Sequence, residues 1–265
     1  MKNVWKQRIK PFTIWGNLKF TGSIPSSCHI IDSGEGLIMI DPGLPETFYL
    51  TLESLWELGY RPDDIKIILH THGHYDHAGA TRMLLDLAPG AKTYIGAGDV
   101  DIVRGKNDLS FAEALGASFD GFFDPDILLE DGDSVHLGNT NVLCISTPGH
   151  TSGTFSFFFD AVDDLGQVKR CGMHGGAGIN SMMLAYYAQH DLDPKLREQF
   201  VPGLERVREF PVEICLGSHT YCNKTQKKGE LVLAGKADAF VDPYEWADYC
   251  DKTAATFQAM VARGQ

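Results

Sequence analysis

The sequence centres on His70-Thr71-His72-Gly73-His74-Tyr75-Asp76-His77-Ala78-Gly79, which holds four histidines and one carboxylate. The residues before it, Ile65-Lys66-Ile67-Ile68-Leu69, are mostly apolar and β-branched, a pattern that predicts a buried strand. The residues after it place Met83, Leu84 and Leu87 at helical spacing, which predicts a helix. The polar cluster therefore lies where a strand ends and a helix begins, and α/β folds place their ligands at such points.

The spacing within this cluster favours metal binding. His72 and His74 are two residues apart, so on an extended backbone both side chains point the same way and can hold one metal ion. Asp76 and His77 follow where the chain turns into the helix, and there they can face a second ion. Asp76 is also a suitable N-cap for that helix, which is its alternative interpretation. Imidazole and carboxylate ligands suit zinc first, and then iron or manganese.

The order His72-x-His74-x-Asp76-His77 resembles the signature of the metallo-β-lactamase superfamily. Three further segments resemble motifs of that superfamily, in the expected order: Ile38-Met39-Ile40-Asp41-Pro42-Gly43, Thr147-Pro148-Gly149-His150-Thr151-Ser152-Gly153 and Gly217-Ser218-His219. The resemblance implies an α/β (α+β) fold of the αββα sandwich type, with two mixed β-sheets packed face to face and helices outside. It also implies a single domain over residues 1–265, built from two similar halves at roughly 1–130 and 131–265.

The same resemblance, carried over residue by residue, implies two sets of metal ligands. The first set is His72, His74 and His150, and the second is Asp76, His77 and His219. Asp41 is expected near the cluster as a carboxylate that supports the ligands, the alternative being a carboxylate that caps a turn. His70 precedes the motif and is expected either to support the ligands from behind or to be structural.

The segment from Gly172 to Gly178 departs from much of the superfamily. Most members carry, at this strand end, an Asp that bridges two metals, whereas this chain has Met173-His174. The chain is therefore most similar to the third subclass of class B metallo-β-lactamases, which does without the bridging residue. That subclass usually has serines at the positions of His174 and Gly176, where they help to hold the substrate carboxylate. His174 can hydrogen-bond a substrate, act as an extra metal ligand, or do neither.

The function that the resemblance implies is that of a binuclear zinc-dependent hydrolase. A metal-bound hydroxide is expected to attack a cyclic amide or ester carbonyl, as in β-lactam hydrolysis and the antibiotic resistance that it confers. Asp76 is expected to be catalytic, because it can orient the hydroxide and assist proton transfer to the leaving group. A strongly positive site favours a small-molecule substrate that carries a carboxylate.

Two alternatives stand beside this interpretation. One is a lactone, ester or thioester hydrolase of the same fold, against which the absent bridging Asp weighs. The other is of a different class, an iron-dependent oxygen-reactive enzyme or an inactive metal-binding homologue. A complete set of six ligands argues against the inactive homologue. The oxygen-reactive type would carry the bridging Asp and a Glu near the motif, and neither is apparent.

Composition narrows the partners and the compartment. The chain has 265 residues and a net charge of −12, and an acidic surface repels phosphate backbones, which argues against nucleic acid. The sequence has no apolar run long enough to span a membrane, so we expect no membrane association and a cytoplasmic protein, or a periplasmic or secreted one if a signal peptide has been removed. The six cysteines contain no C-x-x-C and are expected to be mostly free thiols, with a disulfide among Cys215, Cys222 and Cys250 conceivable only after export.

The sequence also predicts several local elements. We expect one strand over residues 12–18, three short antiparallel strands over 127–130, 134–137 and 142–146, one amphipathic helix over 191–210 and a surface helix over 244–262. Residues 106–126 are polar, with Gly and scattered Phe, and are predicted to form a loop. Such a loop can flank a site and select substrates, or its Phe side chains can simply pack it onto the body.

Overall fold

The computed structural model describes residues 3–265, and its strands form two mixed β-sheets. The first sheet has the strand order β1-β2-β3-β4-β5-β6-β7, made of β1 (Phe12–Trp15), β2 (Leu18–Phe20), β3 (His29–Asp32), β4 (Leu37–Ile40), β5 (Ile65–Leu69), β6 (Lys92–Gly96) and β7 (Ile127–Leu129). The second sheet has the order β12-β11-β10-β9-β8, made of β8 (Ser134–Leu137), β9 (Thr140–Ser146), β10 (Phe155–Val162), β11 (Val168–His174) and β12 (Ile214–Gly217).

Nine α-helices complete the part of the chain that the structure describes. They are α1 (Phe48–Glu57), α2 (Tyr75–Ala78), α3 (Thr81–Leu87), α4 (Val100–Val103), α5 (Leu184–Gln189), α6 (Lys195–Glu198), α7 (Phe200–Arg208), α8 (Thr225–Leu233) and α9 (Glu245–Ala262). Within residues 3–265, no helix has the length and apolar character needed to cross a membrane.

The layering follows from the alternation of side chains along each strand. In β10, Phe157 and Phe159 belong to the core shared with Ile38 and Ile67 of the first sheet, whereas Phe158 belongs to the core shared with α7 and α9. Successive residues of a strand face opposite sides, so one apolar strand serves both cores. A third core packs α1 and α3 onto the outer face of the first sheet. These layers are the αββα sandwich of two mixed sheets that was predicted.

Several local predictions are corrected by the structure. The single strand predicted over 12–18 is a hairpin of β1 and β2, because Gly16 adopts a φ of +46° and turns the chain. The segment predicted as the first of three antiparallel strands, 127–130, is β7, which pairs in parallel with β6. Only β8 and β9 form the predicted antiparallel pair, so the Asp131-Gly132 turn carries the chain from one sheet to the other.

The two predicted helices near the end of the chain also differ in detail. The helix predicted over 191–210 is two helices, α6 and α7, separated at Gln199. The helix predicted over 244–262 is α9, but it is not simply a surface helix, because Trp246, Phe257 and Met260 are buried against the second sheet and α7. All six cysteines are free thiols. The division of the chain into one domain with two similar halves stays a prediction.

Candidate metal centre

The predicted ligands converge at one end of the sandwich, where strands of both sheets end. The chain leaves β5 and places His72 and His74 just before α2, which carries Asp76 and His77. His150 follows β9 and His219 follows β12, so the second sheet supplies the remaining two ligands. Residues that lie far apart in the sequence meet here because the ends of packed strands share one edge of the fold.

The first predicted set forms a compact cluster of imidazoles. His72 Nε2 lies 3.2 Å from His150 Nε2, and the ring centroids of His74 and His150 are 4.6 Å apart. The ligand atoms of His72, His74 and His150 all lie within 4.8 Å of one another, a spacing at which they could hold one metal ion. All three residues are buried.

The second predicted set lies beside the first. Oδ2 of Asp76 lies 3.6 Å from His77 Nε2 and 3.5 Å from His219 Nε2, and the two imidazole nitrogens are 3.3 Å apart. Asp76 and His77 also group with His72 within 4.8 Å, so the two clusters adjoin. Asp76 lies inside α2 and makes no side-chain cap, because His74 occupies the N-cap position. Its alternative role as a helix cap is therefore wrong.

Hydrogen bonds on the outer ring nitrogens turn the inner nitrogens toward the centre. His150 Nδ1 donates to the Gly178 carbonyl at 2.8 Å, and His219 Nδ1 donates to the Pro25 carbonyl at 2.7 Å. His77 Nδ1 donates to Asp41 at 2.8 Å. An imidazole that donates through Nδ1 keeps the lone pair on Nε2, which is the arrangement that metal-binding histidines require.

Asp41 supports the ligands as predicted from its sequence position. It is fully buried and adopts a φ of +54°, a left-handed conformation that is costly for a residue other than glycine. Its carboxylate accepts hydrogen bonds from the Thr71 backbone N–H at 2.8 Å and from the Thr71 hydroxyl at 2.6 Å, in addition to the bond from His77. The strained backbone thus aims one carboxylate at both the strand end and a ligand.

Burial and neighbouring charges lower the pKa of most of these ligands and raise that of His77. Burial, reinforced by the neighbouring imidazoles, lowers the pKa of His72 and His74 well below the usual value and lowers that of His150 to about 4. For His77 burial acts the same way, but the carboxylates of Asp76 and Asp41 outweigh it and raise the pKa. Burial opposes ionisation of Asp76, yet His77 and His219 outweigh it and lower the pKa of that carboxyl.

His174 lies behind the cluster and does not line the cavity in front of it. Its side chain is fully buried beside Phe200 and Tyr249, its Nδ1 accepts from the Gly176 N–H at 3.3 Å, and its Nε2 has no hydrogen-bond partner among the described residues. A Cβ atom on Gly176 would lie 2.4 Å from His150 Cδ2, so a serine would not fit there without displacing that ligand. The structure therefore gives no support to His174 as a substrate contact or a ligand.

Asp99 is a functional candidate that the sequence interpretation missed. It is fully buried, and its carboxylate accepts from the Gly73 N–H at 2.7 Å, the Thr151 hydroxyl at 2.7 Å and the Gly153 N–H at 2.8 Å. It thereby joins the loop of His72 and His74 to the loop of His150. The available signal was a Gly98-Asp99 pair just after β6, the parallel neighbour of β5, because carboxyl ends of parallel strands meet at one edge.

A cavity of about 300 Å³ opens in front of the two clusters, a volume at the lower end of small-molecule sites. Its wall combines ligands, apolar side chains and a few polar groups: His74, Asp76, His150, His219, Pro25, Leu44, Glu46, Tyr75, Phe111, Leu115, Ala117, Gly178, Asn180, Ser181 and Tyr221. Phe111, Leu115 and Ala117 come from residues 106–126, here called the rim loop. Sequence alone left open whether this loop flanks a site, and the structure places it there.

Comparison with known proteins assigns the family. The profile of the metallo-β-lactamase superfamily matches residues 21–165, which is more than half of the chain. The chain therefore belongs to the metallo-β-lactamase superfamily, whose members include hydrolases such as β-lactamases and hydroxyacylglutathione hydrolase.

Individual relatives refine this assignment. The native FEZ-1 metallo-β-lactamase of Legionella gormanii superposes with a TM-score of 0.86 and 27% identity, covering 97% of each chain. BJP-1, a subclass B3 metallo-β-lactamase of Bradyrhizobium japonicum, shares the fold with a TM-score of 0.86 over 98% of this chain and 97% of its own, at 22% identity. These matches confirm the predicted metallo-β-lactamase fold, which the chain shares with a subclass B3 enzyme.

Curated relatives match over a shorter stretch. A cytoplasmic hydroxyacylglutathione hydrolase of Arabidopsis thaliana is 30% identical over 131 residues, 49% of this chain and 40% of that protein. The chain spans about half the length of the curated relatives it matches.

Proposed function

We propose that this protein is a binuclear zinc-dependent hydrolase that opens a cyclic amide or ester, most similar to a β-lactamase. The observation that carries the proposal is the convergence of five imidazoles and one carboxylate, from both sheets, at the base of one cavity. The likeness to FEZ-1 along nearly the whole chain supports it.

The residues present fit zinc. Nitrogen and carboxylate oxygen donors in sets of three, with further positions left for water or substrate, are typical of catalytic zinc. The imidazoles of His72 and His150 face each other at 3.2 Å between ring nitrogens, and such facing lone pairs repel unless a cation is bound between them. When bound, zinc would supply Lewis acidity and would lower the pKa of a coordinated water toward neutrality.

The chain's own residues would contribute orientation and proton transfer. Asp76 reaches the junction of the two clusters with Oδ2, where it can accept a proton from the attacking water and deliver it to the leaving group. Its lowered pKa keeps it ionised and able to accept that proton at neutral pH. Asp41 and the backbone carbonyls of Pro25 and Gly178 would hold the imidazoles in the ligating tautomer.

The substrate is proposed to be a small molecule, since the cavity is small and its wall is partly apolar. The net charge of −12 disfavours nucleic acid as a partner. Among the described residues no lysine or arginine lines the cavity, so a substrate carboxylate would rely on the metal ions as its cationic partners. The absence of serine at positions 174 and 176 removes another source of carboxylate contacts.

A second candidate is the hydrolysis of a lactone, ester or thioester at the same site. The similarity to the hydroxyacylglutathione hydrolase of Arabidopsis thaliana favours it. The strand end of β11, which carries Met173 and His174 in place of an aspartate, distinguishes this chain from the pattern expected of those enzymes.

The test is elemental analysis of the purified protein together with a nitrocefin assay on the same sample. Two zinc ions per chain with rapid turnover are expected. His72→Ala should lose the ion of the first cluster and abolish hydrolysis, because that set then retains only two imidazoles. Wild-type rates in this variant would contradict the mechanism.

Two bound ions without nitrocefin turnover would separate the two candidates. That result would remove the β-lactamase assignment and keep the metal centre, and hydrolysis of a lactone or thioester panel would then identify the second candidate. A preparation with no metal after incubation with zinc would contradict both.

A further inference from the structure

One short segment of the chain contacts both parts of the second predicted ligand set. Residues 24–27 lie between β2 and β3. The Ser26 hydroxyl donates to the Asp76 carbonyl at 2.5 Å, and the Pro25 carbonyl accepts from His219 Nδ1 at 2.7 Å. These bonds span 50 and 194 positions of the sequence, so the 24–27 segment joins two ligands that the chain delivers from distant places.

The bond from Ser26 takes the place of a missing helical bond. Helix α2 is a single turn, and in a longer helix the Ala80 N–H would bond to the Asp76 carbonyl. Here the Ala80 N–H donates to the Gly43 carbonyl at 2.9 Å instead. The Ser26 hydroxyl therefore gives a donor to a carbonyl that the short helix leaves open, and it does so at the backbone of a predicted ligand.

His219 is held by more than its ring. The Ser27 N–H donates to the Ser218 carbonyl at 3.1 Å, and the Thr220 hydroxyl donates to the Ile24 carbonyl at 2.7 Å. Ser218 and Thr220 stand on either side of His219 in the sequence. The 24–27 segment thus fixes this ligand through its own imidazole and through both of its neighbours.

The 24–27 segment is itself fixed. The Ile24 N–H donates to the Gln7 carbonyl at 2.9 Å, and the Ser23 N–H donates to the Ser26 carbonyl at 3.0 Å. Ser26 is 1% exposed and Thr220 is 7% exposed, so water has little access to either side chain. Removal of one of these hydroxyls would leave a largely buried carbonyl without that donor, which is costly.

The first predicted set has a different support. Asp99 joins the loops of its three histidines, and within residues 3–265 none of its hydrogen bonds reaches the 24–27 segment. In the same part of the chain, the 24–27 segment makes no hydrogen bond to His72, His74 or His150. Each set therefore has a support that does not contact the other set's ligands.

Asp41 differs from these two supports, because it serves both sets. It accepts from His77 of the second set and from the Thr71 hydroxyl, whose oxygen lies 3.0 Å from His72 Nδ1. A change at Asp41 is expected to affect both ions, whereas a change at the 24–27 segment should affect the second ion.

We infer that Ser26 and Thr220 are positioning residues for the second metal ion alone. Oδ2 of Asp76 lies 3.5 Å from His219 Nε2, and this separation depends on the 24–27 segment because it holds the backbone of one ligand and the ring of the other. A ligand pair that loses its spacing binds its ion more weakly. The inference rests on the proposed binuclear metal centre and assigns a separate support to one of its two ions.

The test measures the two zinc dissociation constants by competition with a chromophoric chelator, starting from metal-free protein. His219→Ala, which lacks a ligand of the second set, identifies the constant that belongs to that set. Ser26→Ala and Thr220→Val should each weaken this constant about tenfold and leave the other unchanged, because partners that orient metal ligands change metal affinity by 10–100-fold.

Ser23→Ala is the matched control. Ser23 is 2% exposed and lies three residues before Ser26, but its hydroxyl donates to Thr47 Oγ1 at 3.1 Å and contacts neither ligand segment. Both alanine variants lose one buried hydrogen bond, so thermal unfolding of the metal-free proteins should show a similar loss of stability. Only Ser26→Ala should also lose affinity for the second ion, which a purely structural role would not produce.

Three results would overturn the inference while leaving the two-ion centre in place: no weakening in Ser26→Ala, equal weakening of both constants, or the same weakening in Ser23→Ala. If Ser26→Ala does not fold, Thr220→Val decides, because valine keeps the shape of threonine and removes only the hydroxyl bond. A wild-type protein that binds fewer than two zinc ions would contradict the proposed centre itself, and the inference with it.

Discussion

Two regions of the cavity differ, the rim loop and the ligand floor, which is made of His72, His74, Asp76, His77, His150 and His219. Among the described residues they meet at one aromatic contact. The ring of Phe111 stacks on the imidazole of His74 with centroids 5.5 Å apart. Below this contact His72, His74, His77 and His150 are buried, whereas Asp76 and His219 are partly exposed. Asp41 accepts from His77, and Asp99 accepts from the Gly73 N–H in the loop of His72 and His74. Above it the loop is exposed at positions 113–116, and other parts of it are held by the contact of Phe111 with Tyr186 and by the ion pair of Asp124 with Arg104.

This difference suggests separate roles for the floor and the rim loop, metal binding for the floor and substrate affinity for the loop. The floor is fixed by short hydrogen bonds from strand ends, as a metal centre requires, because ligand geometry must be set before the ion arrives. The rim touches the floor without sharing its hydrogen-bond network, apart from the Tyr75 N–H, which donates to the Ser110 carbonyl at 2.8 Å. We therefore expect changes in the floor to alter metal binding, and changes in the rim to alter substrate affinity.

Among residues that are not themselves predicted ligands, the largest effect on metal binding is expected for Asp99→Asn. An amide keeps the shape of the carboxylate but turns an N–H₂ group toward at least one of its three donors, so the loops of His72 and His150 lose their common anchor. Groups that orient metal ligands typically change metal affinity by 10–100-fold, and we expect about 100-fold weaker zinc binding at the first cluster. Competition with a chromophoric chelator measures this affinity.

The matched control for that experiment is Asp101→Asn, two residues further along and exposed. It should bind zinc like the wild type. If Asp99→Asn and the wild type bound zinc with equal affinity, the ligand geometry of the floor would not depend on the Asp99 carboxylate, and this part of the comparison would be wrong.

A second prediction concerns the buried residue His29 and the loss of folding stability at acid pH. His29 lies in β3, fully buried beside Phe20, and burial lowers its pKa to about 4 from an ordinary value near 6.5. The unfolded chain therefore takes up this proton first as the pH falls. The stability that neutral His29 provides is fully present above pH 6.5 and is lost between about pH 6.5 and 4, by up to about 3 kcal/mol.

Urea unfolding at several pH values checks this, with His29→Phe as the test variant. That variant should lose less stability than the wild type between neutral and acid pH, and the difference between the two cancels the contribution of the other histidines. His136→Phe is the control, because His136 is exposed. Parallel pH profiles for the wild type and His29→Phe would show that this buried histidine does not make the fold acid-sensitive.

The smallest effect is expected for Phe111→Ala. The ring lies in the cavity wall and against His74, so its loss should raise KM about tenfold through lost apolar contact while leaving zinc content unchanged. Phe122→Ala, which removes a ring of the same loop outside the cavity, should leave KM unchanged. If Phe111→Ala lost zinc, the stacked ring would belong with the ligand floor, because its removal would then alter metal binding rather than substrate affinity alone.

The sequence predicted the floor better than the rim, and the reason is physical. The strand Ile65–Leu69 and the ligands that follow it form a local pattern in which apolar alternation ends at polar residues, and the structure has the same strand bounds. The grouping of His72, His74 and His150 was anticipated through the motif order. Asp99 was missed because its partners Gly73, Thr151 and Gly153 lie on two other segments. Its position just after β6 indicates the edge of the sheet at which it lies, but not these partners.

The other incorrect or incomplete predictions also depend on contacts between distant segments of the chain. The pattern over 127–146 predicted three antiparallel strands, but the segment 127–130 joins the first sheet and only the other two pair in the second. Which sheet a short strand joins depends on packing rather than on its own sequence. The absence of a serine at Gly176 was noted from sequence as a gap in carboxylate binding. The structure gives the reason: a Cβ atom on residue 176 would lie 2.4 Å from His150 Cδ2, so the position has room only for glycine.

The wide spacing of the ligands along the chain has a consequence for how the protein acquires its metal. His72 and His150 are 78 positions apart, and His77 and His219 are 142 positions apart. A chain under synthesis exposes His72 and His74 long before their partners exist, and two imidazoles alone hold an ion weakly. Full affinity appears only once both sheets have docked, a late event for contacts of such long range. On the proposed function, the protein would therefore take up its metal as a folded apoprotein, from the ions available after folding rather than during it.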